Sequence, residues 1–310
     1  MLINIDVDRS RSSSSSDLTK LINSSLNYQT DRIRFYVLFL FSYLAFNQCL
    51  FWLTFSPISQ TTQIYYQINE STVNLLLNWG PIIFLPCLPL SYILLNRRHG
   101  LKKIVFLLGI LQFSSTSIRL VPYFYQSLFI LSDNDFKYFS LICIHLGQIL
   151  NAACGPLVMS PVSQLSSIWF SPNERTRATT FAIMSNNLGS TIGFLISPLI
   201  VTKPNDIPTL LYIHWILSLI GFICVLIYFP AEPKYIPSYT AQLLLSEQNS
   251  MEKKTNFFKN YLKNLFLCFQ SSSFILLCLI GGLEGGSFAA WTSLFSNVLS
   301  PENFTQTDSG

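Results

Sequence analysis

Seven apolar stretches, each long enough to cross a lipid bilayer, are the dominant pattern in this chain of 310 residues. They cover residues 35–55, 73–95, 104–121, 138–162, 178–201, 209–229 and 271–294. A helix needs ~20 apolar residues to cross the hydrocarbon core, and lipid offers no hydrogen-bond partner to an unpaired backbone group. The sequence therefore predicts an all-α, multi-pass membrane protein with seven transmembrane helices.

The composition excludes several other classes of protein. Half of the residues are hydrophobic (50%) and only 11% are charged, whereas soluble domains are about a quarter charged. The basic residues lie between the apolar stretches, so we expect no nucleic-acid partner. The seven cysteines show no C-x-x-C spacing and lie in or beside apolar stretches, which predicts buried thiols and no metal site. We find no motif of a hydrolase, a phosphate-binding loop or a zinc enzyme, so we expect no enzyme activity and no cofactor.

Basic residues predict which side of the membrane each loop faces, because Lys and Arg are retained in cytosolic loops. All but three of the 19 Lys and Arg residues fall in loops of one set. These loops are the N-terminal tail, the 96–103 turn, the loop at Arg175 and Arg177 and the segment 230–270. The other three, Arg119, Lys137 and Lys203, are expected on the non-cytosolic side. The N-terminus is therefore predicted to be cytosolic.

Candidate glycosylation sites agree with this orientation. Asn69 and Asn303 each begin an N-x-S/T sequence, and both fall in loops assigned to the non-cytosolic side. A third acceptor, Asn23, lies in the N-terminal tail. We expect Asn69 and Asn303 to be glycosylated and Asn23 to stay unmodified.

Polar segments divide the chain into four parts. We expect a polar cytosolic tail over 1–34, a six-helix repeat over 35–229, a cytosolic linker over 230–270, and helix seven with the start of a non-cytosolic loop over 271–310. A transporter built from two six-helix repeats has this layout: six helices, a long linker and then the first helix of another set. The second repeat is then incomplete, and we expect a truncated sequence or isoform.

Glu284 is the only acidic residue well inside an apolar stretch, and four glycines of the segment 281–286 surround it. Ionisable groups inside a membrane usually mark substrate or ion pathways, and burial favours the neutral form of a carboxyl group. Glu284 is therefore a candidate for binding a cationic substrate or for carrying a proton. The alternative is a structural carboxyl group that bonds water or a neighbouring helix.

Other polar and aromatic side chains extend this candidate site. Phe288 and Trp291 follow Glu284 at i+4 and i+7, on the same helical face, and a carboxylate beside aromatic rings suits an organic cation. Trp291 is equally compatible with an anchor at the membrane interface. A histidine side chain ordinarily titrates near neutral pH, so His145 is a second candidate for proton coupling. Polar residues of helices four and five, such as Asn187, either line a cavity or bond neighbouring helices.

Several local strings resemble a known family. They are WLTFSPI at 52–58, NWGPIIFLPC at 78–87, HLGQILN at 145–151, WFSPNERTRAT at 169–179, and the stretch from FAAW at 288–291 to QTDSG at 306–310. These strings resemble the major facilitator superfamily, in the solute carrier family 49 branch. That branch contains the feline leukaemia virus subgroup C receptor-related proteins and disrupted in renal carcinoma protein 2. The resemblance covers about residues 32–310.

The resemblance implies a carrier of twelve helices that works by alternating access, of which helices one to seven are present. Substrates of the branch include choline-like cations, haem and pyridoxine, the last of which leaves lysosomes together with protons. By their match to the branch, Trp52 on helix one and Asn187 on helix five are expected to bind substrate. Ala289 stands where the receptor-related proteins have an aromatic residue on helix seven.

Two functions follow as hypotheses. The first is a proton-coupled transporter of a pyridoxine-like or organic-cation substrate, whose site residues are Trp52, Asn187, Glu284, Phe288 and Trp291. The second is a short product without transport activity that acts as a regulatory or receptor-like partner of a full-length carrier. A stop codon after Gly310 in the transcript would favour the second hypothesis.

The N-terminal tail contains a short candidate sorting signal. Asp17, Leu21 and Ile22 fit the spacing of an acidic dileucine motif, which a sorting adaptor would bind. Together with the resemblance, this motif predicts the lysosomal membrane as the first location and the plasma membrane as the second.

Overall fold

The computed structural model describes residues 28–128, 132–251 and 257–299, and within these ranges the chain is built from α-helices without a strand. The helices are α1 (Ile33–Trp52), α2 (Ser59–Tyr66), α3 (Glu70–Leu95), α4 (Gly100–Leu128), α5 (Asp133–Met159), α6 (Val162–Trp169), α7 (Arg175–Ile200), α8 (Ile207–Ile227), α9 (Tyr239–Met251), α10 (Phe257–Phe269) and α11 (Ser272–Leu299). The candidate sorting residues Asp17, Leu21 and Ile22 lie outside the described ranges, as do Asn23 and Asn303.

Six of these helices are long and apolar enough to cross a membrane. They are α1, α3, α4, α5, α7 and α8, the last with the short 3₁₀ turn Pro204–Asp206 before it. The end of α10 and the start of α11 pass the same test together, as a pair bent by 93°. The expected all-α multi-pass fold is therefore confirmed, and each predicted apolar stretch falls largely within one of these helices.

Helix α1 is the central element of the bundle formed by α1 to α8. It packs against α7 along most of its length and also contacts α4, α5 and α8, while α4 packs against α5 and α8, and α3 packs against α5. The buried core is apolar and includes Phe41, Leu44, Ile104 and Leu108, none of which is exposed. Large apolar side chains also cover the outer surface, which is the arrangement expected of a surface that faces lipid.

Two glycines allow α1 and α7 to approach closely. A Cβ atom added to Gly189 would lie 2.2 Å from the carbonyl oxygen of Phe46, and one added to Gly193 would lie 3.3 Å from a methyl group of Leu50. The G-x-x-x-G spacing thus supports a close contact between helices, as in many membrane bundles.

The segment 230–270 contains more regular structure than a linker requires. Helix α9 packs against α6, and α10 packs against α3. The rings of Tyr92 and Tyr261 lie 5.1 Å apart, and Asn264 Nδ2 donates to the hydroxyl group of Tyr92 at 3.2 Å. These contacts hold α10 beside the C-terminal half of α3, before the bend into α11.

Candidate substrate site

Helix α1 ends at Trp52 inside the bundle. The next residues form turns, and the segment 53–59 is buried throughout, up to the first residue of α2. Pro57 cannot donate a backbone hydrogen bond, and its ring disfavours the helical conformation of Ser56, so both effects favour an interruption of the helix here. The last carbonyl groups of α1 therefore need partners from other helices, because burial keeps water away from them.

Arg119 of α4 is a hydrogen-bond donor to one of these carbonyl groups. Its Nη1 donates to the carbonyl oxygen of Phe51 at 3.3 Å and to Oγ1 of Thr54 at 3.2 Å. Its Nη2 donates to Oγ of Ser115 and to Oε1 of Gln148. The side chain is 1% exposed. Arg119 is therefore not at the surface of the protein, since the residue lies within α4 and its guanidinium group binds the end of α1.

Sequence reasoning missed Arg119 as a site residue, although a signal was present. The residue falls inside the predicted span 104–121, and a charged residue at such a position is rare unless it has a function or a partner. The hydrogen bonds of its guanidinium group go to a backbone carbonyl oxygen, two hydroxyl groups and an amide oxygen. Arg119 therefore has no carboxylate partner among the described residues.

Gln148 of α5 connects Arg119 to two other helices. Its Oε1 accepts the bond from Arg119, while its Nε2 donates to the carbonyl oxygens of Trp52 at 3.2 Å and of Leu76 at 3.4 Å. A Cβ atom added to the neighbouring Gly147 would lie 2.6 Å from Cγ of Arg119. Only glycine at 147 leaves room for the arginine in this position.

Other buried amides join helices in the same way. Asn151 donates to the carbonyl oxygen of Gln48 at 3.1 Å, and Asn186 donates to that of Ala45 at 2.8 Å and to Oε1 of Gln48 at 3.2 Å. For Asn151 and Asn186, the structure thus favours the role of bonding neighbouring helices over the lining of a cavity.

The indole ring of Trp52 is half-buried and lies against α3. Its Nε1 donates to the carbonyl oxygen of Leu77 at 3.1 Å. A Cβ atom added to Gly80 would lie 2.6 Å from the same nitrogen, so glycine at 80 makes room for the ring. Trp52 is thus held by α3 through its side chain and by α5 through its backbone.

His145 of α5 is paired with Trp79, the residue before Gly80. Trp79 Nε1 donates to Nδ1 of His145 at 3.0 Å. An indole nitrogen can only donate, so Nδ1 must accept and the neutral ring carries its proton on Nε2. Protonation of His145 at Nδ1 therefore requires this hydrogen bond to break.

The remaining predicted site residues lie elsewhere. Asn187 is on the exposed face of α7, and no hydrogen bond or ring contact joins it to Trp52 in the described part of the chain. Glu284 and Trp291 are exposed on α11, and Cβ atoms added to the glycines near Glu284 would meet nothing within 4 Å. Phe288 also belongs to α11. Trp52 and Asn187 thus lie on the bundle, and Glu284, Phe288 and Trp291 on α11.

Comparison with known proteins places this fold in a family. Residues 37–307 match the Major Facilitator Superfamily. The chain is 33% identical to the "Solute carrier family 49 member 4 homolog" of Xenopus laevis over 294 residues, which are 89% of this chain and 59% of that protein. It is 25% identical to the "Choline/ethanolamine transporter FLVCR2" of Homo sapiens over 279 residues, which are 87% of this chain and 49% of that protein.

A third relative is the "Choline/ethanolamine transporter FLVCR1" of Felis catus, at 27% identity over 86% of this chain and 45% of that protein. The chain thus spans between 45% and 59% of the length of these curated relatives. With its six apolar membrane-crossing helices and the match over residues 37–307, the chain belongs to the major facilitator superfamily, in the branch of solute carrier family 49 and the choline/ethanolamine transporters.

Proposed function

We propose that this chain is the first repeat, with helix seven, of a carrier that moves a small organic solute across a membrane by alternating access. The observation that carries the proposal is the match of residues 37–307 to the major facilitator superfamily. Two of the relatives described above are named choline/ethanolamine transporters, which supports an organic cation as substrate. A pyridoxine-like solute is the other substrate class that we propose.

Trp52 is the proposed centre of the substrate site. Its indole lies at the end of an interrupted helix, and interrupted helices are where transporters of several folds bind their substrates. An aromatic face attracts a quaternary or protonated amine. We propose that Asn187 of α7 adds an amide to this site and that α11 contributes Glu284, Phe288 and Trp291 in the complete carrier.

Proton coupling is part of the proposal, and two groups are its candidates. Glu284 can exchange a proton or bind a cationic substrate, but not both at once, which would couple the two ligands. His145 can take up a proton only when its hydrogen bond with Trp79 breaks. Protonation of His145 would therefore be linked to a change of structure, whereas Glu284 would link it to substrate binding.

The lysosomal membrane is the proposed location, with the plasma membrane as the second possibility. The support is the acidic dileucine spacing of Asp17, Leu21 and Ile22, which a sorting adaptor would bind. Changing Leu21→Ala and Ile22→Ala together should move the protein to the cell surface. Continued lysosomal location of this double variant would dismiss the signal.

The experiment that tests the function is uptake of labelled choline and labelled pyridoxine at acidic and at neutral pH. Cells would express at their surface either this chain or this chain extended by a second six-helix repeat from a relative. Alternating access requires two repeats that move against each other, so only the extended protein should transport, and Trp52→Ala should abolish its uptake.

Absence of uptake by both proteins, when each is correctly inserted, would contradict the proposed substrates. Co-purification of the 310-residue chain with a full-length carrier, whose uptake it alters, would then favour the alternative role as a regulatory or receptor-like partner.

A further inference from the structure

The carbonyl end of α1 is bound by side chains where water cannot reach it. The carbonyl oxygens of Phe51 and Trp52 accept hydrogen bonds from Arg119 and Gln148, and the following residues are buried. A positive charge at the C-terminus of a helix is also favourable, because it interacts with the negative end of the helix dipole. The side chains of Arg119 and Gln148 thus hold the C-terminal end of α1 in place.

These two side chains act as one unit. A guanidinium group can only donate hydrogen bonds, so the group of Gln148 that faces Arg119 must be the oxygen Oε1. The amide nitrogen Nε2 is thereby directed to the carbonyl oxygens of Trp52 and Leu76. If the amide were rotated, its oxygen would face these carbonyl oxygens and repel them. Arg119 therefore determines that Gln148 can hold the backbone of Trp52.

Among the residues that the structure describes, no carboxylate accounts for the positive charge of Arg119. The ion pairs within the described ranges do not include Arg119. A guanidinium group away from water is costly unless several hydrogen bonds compensate for lost hydration, and a residue that only packed α4 against α1 would not need a charge.

We infer that Arg119 and Gln148 are positioning residues for Trp52, and that they set where its indole ring lies against α3. Arg119 is almost fully buried, so it acts through the backbone of Trp52 and not by contact with a solute. The inference rests on the proposed role of Trp52 in substrate binding. It adds a specific task to the hydrogen bonds that Arg119 gives to the end of α1.

The test compares two buried glutamines that each hold α1. Gln148→Met removes the donor to the carbonyl oxygen of Trp52. Gln112→Met is the matched control, because Nε2 of Gln112 donates to the carbonyl oxygen of Leu44 in the same helix, at 2.7 Å. Methionine is flexible and fills a similar space without a donor, so each variant removes one side-chain link to α1.

The readout is the fluorescence of Trp52 in the purified 310-residue chain. It is obtained as the difference between each variant and the same variant carrying Trp52→Phe, and binding of choline and of pyridoxine is measured alongside in the chain extended by a second repeat. Gln148→Met should shift the emission maximum of Trp52 and weaken binding about tenfold, because the backbone of Trp52 loses its bond to Gln148. Gln112→Met should change neither quantity, although it should lower the melting temperature.

Arg119→Lys is a second variant, in case Gln148→Met does not fold. It keeps the charge, but a single ammonium group cannot bond the partners on α1, α4 and α5 together. It should therefore shift the emission of Trp52 in the same direction as Gln148→Met.

The inference is wrong if Gln148→Met and Gln112→Met lower the melting temperature equally and neither changes the emission of Trp52. One further result would show that the inference holds while the proposed function fails. If the wild-type chain extended by a second repeat binds neither choline nor pyridoxine, while only Gln148→Met shifts the emission, Trp52 is positioned as we infer but its proposed role with these substrates fails.

Discussion

At the scale of single residues, glycines determine where the aromatic and charged side chains of the candidate site can lie. Gly80 leaves room for the indole of Trp52, and Gly147 leaves room for Arg119. Each lies opposite a side chain that makes a specific hydrogen bond, so a methyl group at either position would move that side chain.

Gly80→Ala should displace the indole ring of Trp52 and break its bond to the carbonyl oxygen of Leu77. The cost in stability should be small, about 1 kcal/mol, because a side chain can move where a backbone cannot. The affinity for choline should fall while the protein remains folded. Gly109→Ala is the control, since the nearest atoms to its added Cβ lie 3.7 Å away. Equal affinities of the two variants would contradict this prediction.

Glu284→Gln removes the one acidic side chain of α11 while keeping its size. In the chain extended by a second repeat, uptake should lose its dependence on pH, because the amide cannot take up a proton. The variant His145→Gln, measured in parallel, shows how much of the pH dependence of uptake comes from His145. Unchanged pH dependence of uptake in Glu284→Gln would remove this residue from the coupling mechanism.

At the scale of helices, the contact between α1 and α7 decides how the bundle is assembled. The contact depends on Gly189, whose added Cβ would meet backbone, and on Gly193, whose added Cβ would meet the end of a side chain. The two glycines belong to one motif but differ in how their neighbours can respond.

Gly189→Ala should force α1 and α7 apart, since the carbonyl group of Phe46 belongs to a helix and cannot rotate away. We expect a loss of about 1–3 kcal/mol in the free energy of unfolding, as for other overpacked contacts. Gly193→Ala should cost less, because the side chain of Leu50 can change its rotamer. Thermal unfolding of both variants in detergent measures the difference, and equal melting temperatures would refute the proposed contact.

At the scale of the whole molecule, the predicted orientation in the membrane has a direct chemical test. Asn69 precedes α3 and begins an N-x-S/T sequence on the side predicted to be non-cytosolic. Changing Asn69→Gln and Asn303→Gln together should remove all N-linked glycan from protein made in mammalian cells. Asn23→Gln should leave the glycan unchanged, and electrophoretic mobility with and without a glycosidase distinguishes the variants. Glycan at Asn23 would invert the predicted orientation.

The number of spans and their approximate positions could be predicted because hydropathy and charge are properties of local sequence. A stretch of about 20 apolar residues must be helical in lipid whatever its neighbours are, and this holds for each of the first six stretches. The helical parts of segment 230–270 were not expected, because α9 and α10 depend on contacts with α6 and α3 that no local pattern reveals.

The positions of the functional side chains depended on which helices meet. An arginine near the end of an apolar stretch is ordinarily assigned to the membrane surface, because a charge seeks water. Arg119 instead lies in the core, where the end of α1, Ser115 and Gln148 supply acceptors for both of its Nη groups. Ser115 lies one turn before Arg119, but the other partners belong to α1 and α5, 68 and 29 residues away. Local hydropathy was therefore enough to predict a membrane bundle, but only the packing of α1 with α3, α4 and α5 determined where Trp52 is held.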